Sequence, residues 1–322
     1  MKKEDLIIDF KKKKYGFFKD ASVQVCEWNK NAIREKGKCY KQDFYGADCL
    51  SCHQIAPTTF WCNNSCIFCW RPKEYMGKIV KETIDPSEMI EGLIKERKKL
   101  LSGFYGYAKK ETVDKAINHQ KHWAISLSGE PTLYKKLGEL IRLIKKRKET
   151  ETVFVVSNGQ NPDVIWNLKK DKSLPTQLYI SMISPNEKLY KRITCNTEKN
   201  GWLNYLKTLS MLKLLGTRIV IRLTLIKGLN DSPSLIKEFS DLLSIIEPDF
   251  IEIKSYMWIG YSRRRLKEEN MPSHEYTKEF ANQILQEFSM KNYKFENEKV
   301  DSRIVLLKNK KSKYKTKIID RD

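Results

Sequence analysis

The residues best suited to chemistry are cysteines: the chain has eight, and seven fall between Cys26 and Cys69. An odd number in one window fits poorly with simple pairing. Outside an oxidising compartment, clustered thiols serve metals more often than disulfides. The tightest group, Cys62-Asn63-Asn64-Ser65-Cys66-Ile67-Phe68-Cys69, reads C-x3-C-x2-C. Zinc usually takes two C-x2-C pairs, or one pair with two histidines. The four histidines, His53, His119, His122 and His274, complete no such set. Three thiolates on one short loop suit three irons of a 4Fe-4S cluster, leaving the fourth iron open to chelate a small ligand. Cys195, alone downstream, reads as a partly buried apolar residue.

A loop of this kind needs a frame, and the chain supplies one. Its 322 residues, 40% hydrophobic and 11% aromatic, are enough for a globular core. No run of about 18 apolar residues exists, and Met1-Lys2-Lys3-Glu4-Asp5 lacks the apolar core of a signal peptide, so a cytoplasmic, non-membrane protein is expected. Apolar and β-branched runs predict strands at 57–61, 123–127, 152–157, 177–182, 218–225 and 250–256, and amphipathic stretches predict helices at 86–101, 133–148, 163–168, 203–215 and 234–246. Asp85-Pro86-Ser87-Glu88 and Asp231-Ser232-Pro233-Ser234 read as capped helix starts. Six βα units make three-quarters of a TIM-type barrel, whose chemistry sits on loops at the strand C-termini. The net charge of +21 fits a polyanionic partner such as nucleic acid, or a solubilising lysine-rich surface.

The cysteine loop, with Phe68 before its third cysteine, resembles that of radical S-adenosylmethionine (SAM) enzymes. The expected fold is α/β: a partial TIM-type (β/α)6 radical SAM barrel over 56–260, a cysteine-rich N-terminal lobe over 1–55 and a basic C-terminal extension over 261–322. Ser126-Leu127-Ser128-Gly129-Glu130-Pro131-Thr132, ending the second expected strand, resembles that family's Gly-Glu motif for the SAM ammonium group. Ser128, Gly129, Glu130, Asn158 and Ser181 are therefore candidate SAM contacts. Arg222, flanked by apolar residues within a strand, is a candidate for the SAM carboxylate or for a structural ion pair.

Three further features resemble the tRNA 4-demethylwyosine synthase family, in its archaeal stand-alone form. Cys26, Cys39 and Cys52 stand 13 residues apart, matching the family's set for a second 4Fe-4S cluster. Cys39-Tyr40-Lys41-Gln42-Asp43-Phe44-Tyr45-Gly46 matches its Cys-Tyr-Lys…Phe-Tyr-Gly segment. Ile251-Glu252-Ile253-Lys254-Ser255-Tyr256-Met257 and Gly260-Tyr261-Ser262 match its sixth strand and following loop. The resemblance covers about residues 20–308. It implies that a cluster on Cys62, Cys66 and Cys69 cleaves SAM to a 5′-deoxyadenosyl radical. That radical activates the methyl group of N1-methylguanosine, beside the anticodon of tRNA-Phe, for ring closure with two carbons of pyruvate. It also implies pyruvate binding at the second cluster, with Lys41 forming a Schiff base, a separate electron donor, and a monomer.

Cys49 also spells C-x2-C with Cys52, so a four-cysteine zinc site, a fourth cluster ligand or a spare thiol stays open. Ile183 stands where the family leads one to expect an aspartate. Lys254, Tyr261, Arg263, Arg264 and Arg265 are expected tRNA contacts, with Phe44, Tyr256 and Trp258 as stacking surfaces. Lys11–Lys14 and Lys308–Lys317 are expected to be mobile phosphate contacts on frayed, solvated tails. Two other readings stand beside this one: a different two-cluster radical SAM enzyme that modifies RNA, and a zinc-binding nucleic-acid module.

Overall fold

The computed structural model describes residues 3–77, 80 and 83–320. Ten strands form one sheet: β1 (Tyr15–Phe18), β2 (Ala21–Gln24), β3 (Cys52–Ala56), β4 (His122–Ile125), β5 (Thr152–Ser157), β6 (Gln177–Met182), β7 (Arg218–Leu225), β8 (Phe250–Ser255), β9 (Tyr293–Lys299) and β10 (Ile304–Asn309). Their order is β1-β2-β3-β4-β5-β6-β7-β8-β10-β9. β3 to β8 are parallel, and antiparallel strands extend the sheet at both edges. The six-stranded parallel frame expected from the sequence is present, and the flanking segments complete the same sheet. Among the described residues no helix is long and apolar enough to cross a membrane.

Alternation along the strands separates two cores. Val153, Val155, Leu178, Ile180, Ile221 and Ile253 pack under the helical layer, whereas Phe154, Tyr179, Val220, Phe250 and Leu306 form a cluster with Tyr40, Phe44 and Tyr45. The helix Tyr40–Tyr45 thus fills the inner face of the partial barrel. Gly46 ends it at φ +75°, a left-handed conformation suited to glycine. A Cβ there would lie 2.1 Å from the Ile319 carbonyl oxygen.

Several local expectations change. The first parallel strand is 52–56, not 57–61; Pro57 cannot donate to a ladder, and Pro57–Phe60 form a turn. The helix expected from 133 starts at Leu137, because Pro131–Leu133 make a separate 3-10 turn. Asp85 caps its helix through the Ser87 and Glu88 amides, but Ser232 makes no such bond. Among the described residues, both basic stretches pack onto the fold. The helix Lys3–Lys12 precedes β1, and Lys13 pairs with Asp9 at 2.6 Å. The C-terminal segment docks by its backbone: Arg218 donates to the Lys315 and Thr316 carbonyls, and the Ile318 amide donates to the Tyr45 carbonyl at 3.0 Å. Lysine-rich composition signals solvation, but carbonyls make these contacts.

Candidate active site

The Cys62–Cys69 loop is held by backbone and by cations. Trp61 bridges Gly77, and the Cys62 amide donates to the Gly77 carbonyl at 2.9 Å. Ser65 and Ile67 amides donate to the Thr194 and Ile193 carbonyls, at the end of the helix Glu187–Thr194. Lys73 donates to the Ser65 carbonyl, and the buried Arg71 holds the Leu127 carbonyl. Arg265 donates to the Ile67 carbonyl at 3.0 Å and to the Cys69 carbonyl, and pairs with Glu74. This corrects the expectation for Arg265: its guanidinium is committed to the cysteine loop rather than to tRNA phosphates. Burial raises all three thiols, Cys62 to about 12, so thiolates form here only with a metal's charge to stabilise them. Ile183, in place of an aspartate, packs with Ile67, Phe68 and Tyr256. Cys195 is half-buried, its sulfur 3.9 Å from Lys73 Nζ.

The loop after β4 lies against the turn that leads into the cysteines. Ser128 Oγ donates to the Thr59 carbonyl at 2.8 Å, and the Glu130 amide donates to the Trp61 carbonyl at 2.8 Å. Gly129 has φ +70°, and a Cβ there would stand 1.7 Å from the Thr58 carbonyl oxygen. The glycine is required by close approach of two backbones. The buried Glu130 carboxylate accepts from Thr132 N, Thr132 Oγ1 (2.6 Å) and Ser157 Oγ (2.8 Å) at Oε1, and from Asn158 N (2.8 Å) at Oε2. It ties the β4 and β5 loops together. Asn158 does border the cysteines, donating to Asn63 Oδ1 at 2.8 Å with Cys62 Sγ 3.8 Å away. Ser181 is half-buried on β6 and its carbonyl accepts from Tyr205.

The second cysteine set lies around the helix on the inner face. Cys26 and Cys39 are the residues before the helices Glu27–Ile33 and Tyr40–Tyr45, and Cys52 opens β3. Backbone N–H groups of Trp28 and Asn29 point at the Cys26 sulfur, and that of Lys41 at Cys39, favouring thiolates. Burial opposes this, raising Cys39 to about 11 and Cys52 to about 12. Cys49 is buried beside the same three sulfurs, its amide bonded to Gln42 Oε1. Among the described residues no three metal-ligating side chains converge on a single-ion position.

Lys41 faces Cys26, Cys39 and Cys52, with Nζ 4.8 Å from the Phe154 ring centroid and 5.4 Å from that of Tyr179. Arg222, Glu252 and Lys254 share this face. Arg222 donates to Glu252 (2.8 Å) and to Tyr40 Oη (2.5 Å), and Tyr45 donates to Glu252 (2.7 Å). The structure therefore gives Arg222 its ion-pair reading instead of a free site for the SAM carboxylate. Lys254, expected as a tRNA contact, donates to the Ser302 carbonyl at 2.6 Å inside the barrel, and burial lowers it to about 8.

Of the other expected tRNA contacts, Arg263 and Arg264 are exposed, stacked on Trp258 and Tyr261 at 4.7 and 4.8 Å. Tyr261 is half-buried, donating to Asp9 at 3.1 Å. Phe44 and Tyr256 are buried in the core. The sequence reading missed Arg71, Lys73 and Asn63. Lys12, Lys13 and Lys14, expected as phosphate contacts, line a basic cleft with Lys30, Trp70 and Arg71, which the sequence reading had not grouped with them.

The Radical SAM superfamily profile matches residues 56–239, and the profile for wyosine base formation matches residues 246–309. The S-adenosyl-L-methionine-dependent tRNA 4-demethylwyosine synthase of Pyrococcus horikoshii is 39% identical over 304 residues, covering 92% of this chain and 86% of the relative. That of Methanocaldococcus jannaschii is 38% identical over 323 residues, covering 98% and 99%. A solved structure of TYW1 with a lysine-pyruvate adduct bound aligns with TM-score 0.86 at 35% identity, covering 98% of this chain and 99% of that one.

Proposed function

The chain belongs to the family of S-adenosyl-L-methionine-dependent tRNA 4-demethylwyosine synthases, and from that membership we propose that it closes the tricyclic 4-demethylwyosine base on tRNA-Phe. The substrates are N1-methylguanosine, 3′ of the anticodon, and pyruvate. Cys62, Cys66 and Cys69 hold a 4Fe-4S cluster, which when bound supplies the electron for reductive cleavage of SAM. Cys26, Cys39 and Cys52 hold a second cluster. The parallel-strand loops at Gly129 and Asn158 frame the space beside Cys62 where SAM sits. An external donor supplies electrons, and the enzyme acts as a cytoplasmic monomer.

Lys41 carries the reading. Its amine attacks the C2 carbonyl of pyruvate, water leaves, and the imine holds pyruvate beside the second cysteine set. The aromatic rings of Phe154 and Tyr179 flank it. The lysine-pyruvate adduct in the related solved structure supports this assignment. Exposed Trp70, the neighbouring lysines and the Arg263–Arg264 pair supply a basic, partly aromatic rim suited to an anticodon stem. The test is anaerobic incubation of the reconstituted protein with SAM, a reductant, pyruvate and tRNA carrying N1-methylguanosine. The tricyclic nucleoside is expected in the digest. SAM cleavage without it contradicts the proposal and favours another radical SAM RNA modifier.

A further inference from the structure

Arg97 has no part in the chemistry described so far, yet its placement is unusual. On the helix Pro86–Ser102 it occupies the apolar face with Ile90, Leu93, Ile94 and Leu101. It is 1% exposed. The guanidinium donates to the carbonyls of Leu50 (3.0 Å), Cys52 (3.1 Å) and Ala116, and its Nε has no acceptor. Among the described residues no carboxylate pairs with it. The groups that face its charge are the sulfurs of Cys52, Cys26 and Cys49.

A buried cation without a counter-charge costs several kcal/mol, so such groups are normally paired. Three carbonyls satisfy hydrogen bonds but carry no net charge. Thiolates around an iron-sulfur core do carry negative charge; two of the sulfurs facing Arg97, those of Cys26 and Cys52, belong to that set, and Arg97 is already bonded to the Cys52 carbonyl. We propose that Arg97 is the counter-charge of the cluster held by Cys26, Cys39 and Cys52, a positioning residue that fixes the Cys52 segment and sets that cluster's retention and reduction potential. The inference rests on the two-cluster reading above. A fixed positive charge favours the more negative, reduced cluster, so removing it makes the potential more negative.

The test uses the full chain, anaerobically reconstituted, as wild type, Cys26→Ala, Arg97→Met and Arg97→Lys. Iron and sulfide are counted per chain, and clusters are titrated with EPR detection. The signal that Cys26→Ala lacks belongs to the second cluster. In Arg97→Met the second cluster's iron should fall, and what remains should show a reduced-to-oxidised ratio about tenfold lower at a fixed potential, about 59 mV for a one-electron step. Arg97→Lys should restore most of both. Melting separates this from a packing role: the loaded form should lose more stability than the apo form, because binding to the native state adds stability only where the site favours it. Full iron with an unchanged potential, or equal losses in apo and loaded forms, overturns the inference. If Cys26→Ala costs wild type no iron, the two-cluster reading falls and this inference with it, an outcome seen without any Arg97 variant.

Discussion

Arg222 on β7 and Glu252 on β8 stand opposite each other in register, with Arg222 Nε 2.8 Å from Glu252 Oε2 inside the barrel. The pair anchors the helix that presents Lys41, because Tyr40 accepts from Arg222 and Tyr45 donates to Glu252. Glu252→Gln leaves a buried guanidinium without its counter-charge, an expected loss of about 3–5 kcal/mol. Urea unfolding of the apo protein measures it. Replacing both partners, Arg222→Met with Glu252→Leu, should recover part of the loss.

Lys254 gives a pH signature. Its folded-state value, about 8, lies below the usual lysine range because burial and Arg222 disfavour its charge. The unfolded chain therefore binds more protons between about pH 8 and 10.4, so this group's contribution to stability rises with pH across that window and is lost as pH falls through 8. The stability difference between wild type and Lys254→Met should move in favour of wild type as pH rises from 8 to 10. A difference flat with pH would contradict the buried assignment.

The proposed two-cluster reading gives the two cysteine sets separable duties. Cys62→Ala, Cys66→Ala and Cys69→Ala should each abolish 5′-deoxyadenosine formation from SAM. Cys26→Ala and Cys39→Ala should retain some SAM cleavage but yield no tricyclic base. Cys49→Ala should retain both activities and its full iron content; loss of iron would instead make Cys49 a ligand. Chromatography of nucleosides, with iron counting, distinguishes these outcomes.

The run Arg263-Arg264-Arg265 divides by contact. Arg265→Ala should lower iron bound at the first cysteine set, because the Ile67 and Cys69 carbonyls lose their donor. Arg263→Ala and Arg264→Ala should leave iron unchanged and weaken tRNA binding, each reducing the salt slope of affinity by about 1.

The parallel frame was legible because β5, β6 and β7 are rich in apolar, β-branched and aromatic residues, and periodicity reads such runs well. β3 was not: Cys-His-Gln-Ile-Ala looks like a loop beside Pro-Thr-Thr-Phe-Trp, yet it pairs with β2 and β4 on its two sides. The cysteine spacing pointed to metal chemistry, but adjacency in sequence hid facing. Arg265 reads like Arg263 and Arg264, and only the fold turns it toward the Cys69 loop. Lys254 reads like any strand lysine until alternation puts it beside Glu252 and Cys39. Arg97 did leave a signal, a charge at an apolar helix position.

Borohydride reduction of the enzyme with pyruvate tests the central claim most directly. Peptide mass analysis should find one reduced pyruvate adduct, on the peptide carrying Lys41, and none in Lys41→Met. Labelling of Lys254 or of surface lysines with Lys41 unmodified would contradict the account.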